Sequence, residues 1–181
     1  AWRKNVGIMP GDAPLSIDVT ANTLPKEMKA ADYVTAIVGK WHLGLGKKGE
    51  KVDFNKKIDY GMKAVGFDYS FIFPATNDRV PTIFMENDMT VGLDSNDPIS
   101  VSYTHKIGND PTGKENPDLL KIKYLSWHNG TIINGISRIG WMTGGNSARW
   151  TDETMGKVML GKAKEFIKSN SNKPFFLYYA T

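Results

Sequence analysis

The protein has 181 residues, with 23 Lys and Arg set against 19 Asp and Glu and a formal net charge of +4. That is enough chain for one domain or part of one, and the small positive surplus forms no polyanion-binding stripe, which argues against nucleic acid as a partner. No run approaches the ~20 apolar residues of a membrane span, and the absence of cysteine excludes disulfides and thiolate metal sites.

In chain order, "TLPKEMKAAD" (23–32) predicts a short helix, with Thr23 as its cap, Pro25 tolerated in the first turn and Leu24, Met28 and Ala31 on one face. "YVTAIVG" (33–39) follows as a short β-branched run, the mark of a buried strand. Residues 45–150 are rich in Gly, Asn, Asp and Pro and read as a long insertion at the sheet's edge. Within it, "TIFMEND" and "MTVGLD" flank a hairpin turn near Asn87 and Asp88. The stretch 109–117 is polar and loop-like. At the far end, Thr151 is positioned to cap a helix in which Met155, Val158, Met159, Ala163, Phe166 and Ile167 keep helical spacing. "NSNKP" stops that helix, and "FFLYYAT" reads as a second buried strand. Two helix-then-strand units predict an α/β fold with a largely parallel sheet flanked by helices.

"VGKWHLGLGKKG" (38–49) carries two competing chemistries. Gly44, Gly46 and Gly49 satisfy G-x-G-x-x-G, but no periodic helix follows and no acidic residue stands at the end of a second strand, as a dinucleotide site requires. Lys40 and His42 are the stronger pair. They follow a parallel strand, at the end where open α/β sheets place ligands, and residues i and i+2 of an extended segment face the same side. Lysine offers a compact cation to an anionic substrate, and histidine a proton donor or acceptor near neutral pH. These residues taken alone fit a solvated loop equally well. "PATNDRVP" (74–81) is a loop whose Arg79 either contacts an anion or pairs with Asp78. "DSNDP" (94–98) lacks the glycine and distal glutamate of a calcium loop and reads as a turn. His128 has no second histidine at metal-ligand spacing and reads as mainly structural, and His105 as solvated.

A resemblance separates these alternatives. "YVTAIVGKWHLG" (33–44) resembles the second signature of the sulfatases, in the alkaline phosphatase superfamily, and "TLPKEMKAAD" the helix that leads into it. "GFDYSFIFPATNDRVPTIFMEN" (66–87) and "RWTDETMGKVMLGKAKEFIKSNSNKPFFLYYAT" (149–181) are similar to later blocks of bacterial carbohydrate sulfatases, in the right order. The resemblance implies a partial N-terminal catalytic domain of an alkaline-phosphatase-like fold over 1–181, built from helix–strand 23–39, insertion 45–150 and helix–strand 151–181. It implies hydrolysis of sulfate esters, of a sulfated carbohydrate or an aryl sulfate, with a formylglycine nucleophile beside calcium. Lys40 then binds the sulfate, His42 contacts the formylglycine hydroxyls, and the loop carrying Thr76, Asn77, Asp78 and Arg79 lies at the substrate pocket, with Thr76 offering its hydroxyl to sulfate. The family's Cys/Ser-x-Pro-x-Arg nucleophile motif is absent from the sequence. "AWRKN" (1–5) resembles the segment that follows that motif. The calcium ligands match nothing here, so no metal residue is assigned and the chain alone is expected to be inactive. Periplasmic or secreted localisation follows from the resemblance, and the oligomeric state is left open. A phosphoesterase or phosphonate hydrolase of the same superfamily and a non-catalytic sulfated-glycan-binding protein are the alternatives.

Overall fold

The computed structural model describes residues 7–123 and 125–181; "AWRKN" therefore lies outside the described residues. The chain forms α1 (Leu24–Ala30), β1 (Val34–Lys40), α2 (Met62–Val65), β2 (Tyr69–Phe73), β3 (Met85–Glu86), β4 (Met89–Thr90), β5 (Ser100–Ser102), β6 (Ile132–Ile133), β7 (Ile136–Ser137), β8 (Trp141–Thr143), α3 (Met155–Ser169) and β9 (Phe175–Ala180). The main sheet has the order β4-β3-β2-β1-β9. β2, β1 and β9 run parallel, while β3 and β4 join antiparallel. This is the mixed α/β architecture, largely parallel at its centre, that the two helix–strand units predict.

β1 sits between β2 and β9, and its alternating side chains feed two cores. Val38 faces Phe71, Phe73, Phe84 and Trp150, which pack against Met155, Met159 and Ala163 of α3. Ile37 faces the other way, into a core with Ile72, Met62, Val80, Ile83 and Leu45. Successive strand side chains point to opposite faces, so a strand buried on both sides reads as one continuous apolar run.

Some local expectations differ from the structure. Thr23 makes no side-chain cap to α1; its hydroxyl donates to the Val65 carbonyl at 2.5 Å and ties α1 to α2 instead. Leu24 is exposed and Pro25 buried. Thr151 precedes a 3-10 turn at Asp152–Thr154, and the α-helix begins at Met155. β9 is the sheet's edge rather than a buried strand, with Tyr178 50% exposed. The segment 45–150 is no pure edge insertion: β2 lies inside it and pairs directly with β1 from Ala36–Tyr69 to Lys40–Phe73. The expected hairpin is β3–β4, and its Asn87 and Asp88 both have positive φ, 49° and 68°, as a tight primed turn between twisted strands requires.

Gly39 is the tightest point of the sheet. Its φ is +117°, and a Cβ there would lie 1.7 Å from the Ala180 carbonyl oxygen of β9. Both the conformation and the space exclude a side chain. Gly39→Ala should cost about 2–4 kcal/mol of stability, since a backbone neighbour cannot rotate away as a side chain could. Denaturant titration of the full-length protein carrying this substitution measures the loss; an unchanged midpoint would show that β1 and β9 can separate here at little cost.

Candidate functional site

The parallel strands β1 and β2 end side by side at Lys40 and Phe73. Pairing continues past both ends: the Trp41 N–H donates to Phe73 O at 3.2 Å and the His42 N–H to Pro74 O at 3.0 Å. The loop 74–79 is thereby anchored beside the Lys40–His42 segment, at the end of the sheet where open α/β folds gather ligands.

Lys40 is exposed, while Trp41 turns inward, 7% exposed, with its Nε1–H on Gly44 O at 2.6 Å. His42 does not follow the extended i, i+2 geometry. It has φ +54°, and its Nε2 lies 2.9 Å from the Met9 carbonyl, which accepts the ring N–H. In the neutral ring this leaves Nδ1 as the nitrogen able to take a proton. Gly44 follows at φ +76°, close enough that a Cβ would lie 2.0 Å from Pro14 O, so the segment before α1 covers this turn. No helix follows Gly49 until Met62, so the G-x-G-x-x-G has none of the strand–turn–helix geometry that holds a pyrophosphate.

Burial is the largest influence on the His42 pKa, pushing it below the ordinary imidazole value; the Met9 carbonyl opposes this, Arg79 and Lys40 push the same way as burial, and Asp78 opposes. Lys40, His42, Asp78 and Arg79 therefore share one electrostatic neighbourhood. A cation-rich site of this kind suits an anionic group.

Within the loop, the Thr76 hydroxyl donates to Asp78 Oδ1 and accepts from Arg79 NH1 at 2.9 Å. That hydroxyl is engaged internally rather than held open for sulfate. Arg79 pairs with Asp78 at 3.2 Å, and its side chain is only 16% exposed. The Asn77 side chain is exposed, and its carbonyl accepts from Arg138 NH1. Asp78 also accepts from His128 Nε2 at 3.1 Å. Burial raises the Asp78 pKa, but Thr76, His128 and Arg79 more than offset it, and the carboxyl stays below its usual range. A cavity of about 220 Å³ opens beside this pair, lined by Asp78, His128, Ser137, Ile122, Lys123 and Leu125.

His128 thus stands on the candidate loop, 50 positions beyond Asp78. Nothing in "SWHNG" points to Asp78, and only the "NDR" cluster marks the other half of the pair. His105 is exposed, its Nδ1 next to the Thr104 hydroxyl at 2.9 Å. "DSNDP" is a turn in which the Asp97 carboxylate accepts from Asn146. Among the described residues no three His, Asp or Glu side chains converge as metal ligands.

The Sulfatase family model matches residues 15–181. Over 181 residues the chain is 55% identical to an N-acetylgalactosamine-6-O-sulfatase of Bacteroides thetaiotaomicron, covering 99% of this chain and 35% of that protein. A solved structure from work on the metabolism of multiple glycosaminoglycans by Bacteroides thetaiotaomicron superposes with a TM-score of 0.96 at 55% identity, over 99% of this chain and 38% of that one. The chain spans little more than a third of the length of these relatives.

The depressed His42 pKa has a consequence for stability. Between the folded pKa and the ordinary 6.5, the unfolded chain binds more protons than the folded one. The contribution of His42 is therefore fully present above 6.5 and is lost as pH falls through that window. Urea unfolding at about pH 7.5 and about pH 5.5 should show a smaller acid loss for His42→Gln than for wild type. Equal losses would mean that burial does not disfavour the protonated ring.

Proposed function

The chain belongs to the sulfatase family, and from that premise we propose that the full-length protein hydrolyses sulfate esters of a sulfated carbohydrate. The observation that carries this reading is the placement of Lys40 and His42 at the end of β1, hydrogen-bonded alongside the start of the 74–79 loop and sharing the charges of Asp78 and Arg79. Lys40 supplies the fixed positive charge that faces the sulfuryl group, where charge grows as the ester bond breaks; a preoriented cation stabilises that charge better than water, which must reorganise. His42, anchored through Nε2, holds or releases a proton at Nδ1.

Recognition of the sugar falls to the loop. Asp78, oriented by the hydrogen bond from His128, presents a charged acceptor at a cavity whose other walls include Ile122 and Leu125. Polar groups at one end and apolar walls at the other suit a ring with hydroxyls on its edge and C–H groups on its face. Arg79 acts within this group by holding Asp78 and Thr76. The 55% identity to an N-acetylgalactosamine-6-O-sulfatase makes a 6-sulfated N-acetylgalactosamine unit the substrate to test first.

The described residues do not fit calcium: the side chains gathered at the strand ends are a lysine, an arginine, two histidines and one aspartate already held by three neighbours. On this reading calcium and the formylglycine belong to segments of the full-length protein outside this chain. Periplasmic or secreted localisation is part of the proposal and rests on family resemblance; fractionation of cells producing the protein tests it.

In the full-length protein, Lys40→Ala should lower aryl sulfate kcat by about 10²–10³-fold, the usual effect of removing one stabilising group from a developing charge. A variant within threefold of wild type would remove Lys40 from the site. Asp78→Asn and His128→Gln should instead lower kcat/KM for the sulfated glycan by about 10-fold or more, since each loses a charge-assisted hydrogen bond; His128→Gln should leave a small aryl sulfate nearly unaffected, while Asp78→Asn, which also removes a charge acting on His42, should cost less on the aryl sulfate than on the glycan. Parallel rates on both substrates across this pair of variants would place Asp78 with the sulfate rather than with the sugar.

A further inference from the structure

Arg138 is the largest fully buried side chain among the described residues, 1% exposed, and it lies outside the site described above. Its guanidinium forks onto Asp152, NH1 to Oδ1 at 3.0 Å and NH2 to Oδ2 at 2.6 Å. The same two nitrogens reach two carbonyls, NH1 that of Asn77 and NH2 that of Ile133 at 3.0 Å. Asp152 is held in turn by Asn134 Nδ2, 3.1 Å from Oδ2. Burial works to raise the Asp152 pKa, but Arg138 and Asn134 hold the carboxyl below its ordinary range.

Each contact belongs to a different part of the recognition group. Asn77 immediately precedes Asp78. The next residue after Arg138, Ile139, donates its N–H to Asp78 O at 2.8 Å, and Val80 N donates back to Ile139 O. The Arg138 carbonyl accepts from Gly130 N at 2.8 Å, two residues after His128. Ile133 ends β6 at the turn of the hairpin β6–β7, and Asp152 lies in the turn that starts α3. A single planar cation thus joins the loop bearing Asp78, the hairpin that follows His128 and the entrance to α3.

Resting on the sulfated-carbohydrate reading above, we propose that Arg138, locked by Asp152, is a positioning residue that sets the Asp78–His128 alignment and hence the choice of sugar, without taking part in the chemistry at Lys40 and His42. Lysine cannot replace it. An ammonium has no planar fork and cannot face a carboxylate with two nitrogens while reaching two carbonyls.

The test uses Arg138→Lys and Asp152→Asn in the full-length protein, with two readouts. The first is kcat/KM on the sulfated glycan and on a small aryl sulfate. The second is the ¹⁵N and ¹H signature of the His128 ring, assigned by comparison with His128→Gln, which reports the hydrogen bond to Asp78 whether or not the protein turns over any substrate. The expected result is a loss of about 10-fold or more on the glycan, a change within about threefold on the aryl sulfate, and a displaced His128 ring signal. Equal losses on both substrates, or an unmoved ring signal, overturn the proposal and leave Arg138 a packing residue. If the wild type hydrolyses no sulfate ester, the sulfatase reading fails while the ring signal still decides whether Arg138 positions His128. If Arg138→Lys does not fold, Asp152→Asn keeps the shape of the pair, and the same split on it, present or absent, decides the matter.

Discussion

The hydrogen bonds from Trp41 to Phe73 and from His42 to Pro74 continue the β1–β2 pairing two residues beyond the sheet. Ordinarily a strand's end releases the chain into solvent. Here the two departing segments stay in register, so the residues after β1 and the loop after β2 cannot move apart independently. Trp41 reinforces this by burying its ring and satisfying its indole N–H on Gly44. Lys40 and His42 flank that buried tryptophan without themselves being packed into the core.

The charges around His42 work mostly against its protonated form. Arg79 and Lys40 both disfavour the charged form of His42, and burial adds to them. In the unliganded state the imidazole therefore tends to be neutral. On the proposed reading, an anionic ester bound beside Lys40 would oppose these influences, because a negative charge favours protonation of a nearby ring. Asp78 moderates the cluster, and its own carboxylate is stabilised by three neighbours, so it stays charged throughout. Asp78 faces both ways: one side pairs with Arg79 and the other accepts from His128 beside the cavity.

The ends of the chain were legible because local pattern and tertiary role coincide there. "YVTAIVG" has a β-branched run and stands at the centre of the sheet; α3 keeps its apolar spacing and buries Met155, Met159, Ala163 and Phe166. β2 was obscured by its surroundings. "YSFIF" is a compact apolar run closed by Pro74, but it sits among loops and was absorbed into the insertion. The missing cap at Thr23 has a distant cause: its hydroxyl is taken by Val65, 42 residues away. Lys40 and His42 were visible as a pair through spacing and resemblance, but the left-handed turn at His42 was not, since it depends on Met9 and Pro74. Arg79 carried an open choice between anion and Asp78, and the structure shows the ion pair. His128 and Arg138 were least legible. Their meaning lies in partners 50 and 61 positions away, and no local period records such contacts.

The buried Arg138–Asp152 pair raises the question of why a fold would keep charges where apolar side chains would pack. Buried ion pairs are poor sources of net stability, because desolvation of both groups consumes most of the attraction between them; what this one imposes is geometry, since a shift of Asp152 leaves the buried Arg138 charge without its partner. An apolar plug in the same space would tolerate small shifts of the 76–79 loop against the 128–133 segment. A guanidinium with one carboxylate and two carbonyls to satisfy does not. Loops that read a sugar face this problem acutely, because discrimination between neighbouring hydroxyl orientations rests on donor and acceptor positions held to fractions of an ångström. The strand ends need less of this support, since the sheet itself holds the Lys40 backbone in place. On the proposed reading, rigidity in this part of the protein is supplied by two different means, backbone pairing beneath Lys40 and His42 and an ion pair beneath Asp78 and His128.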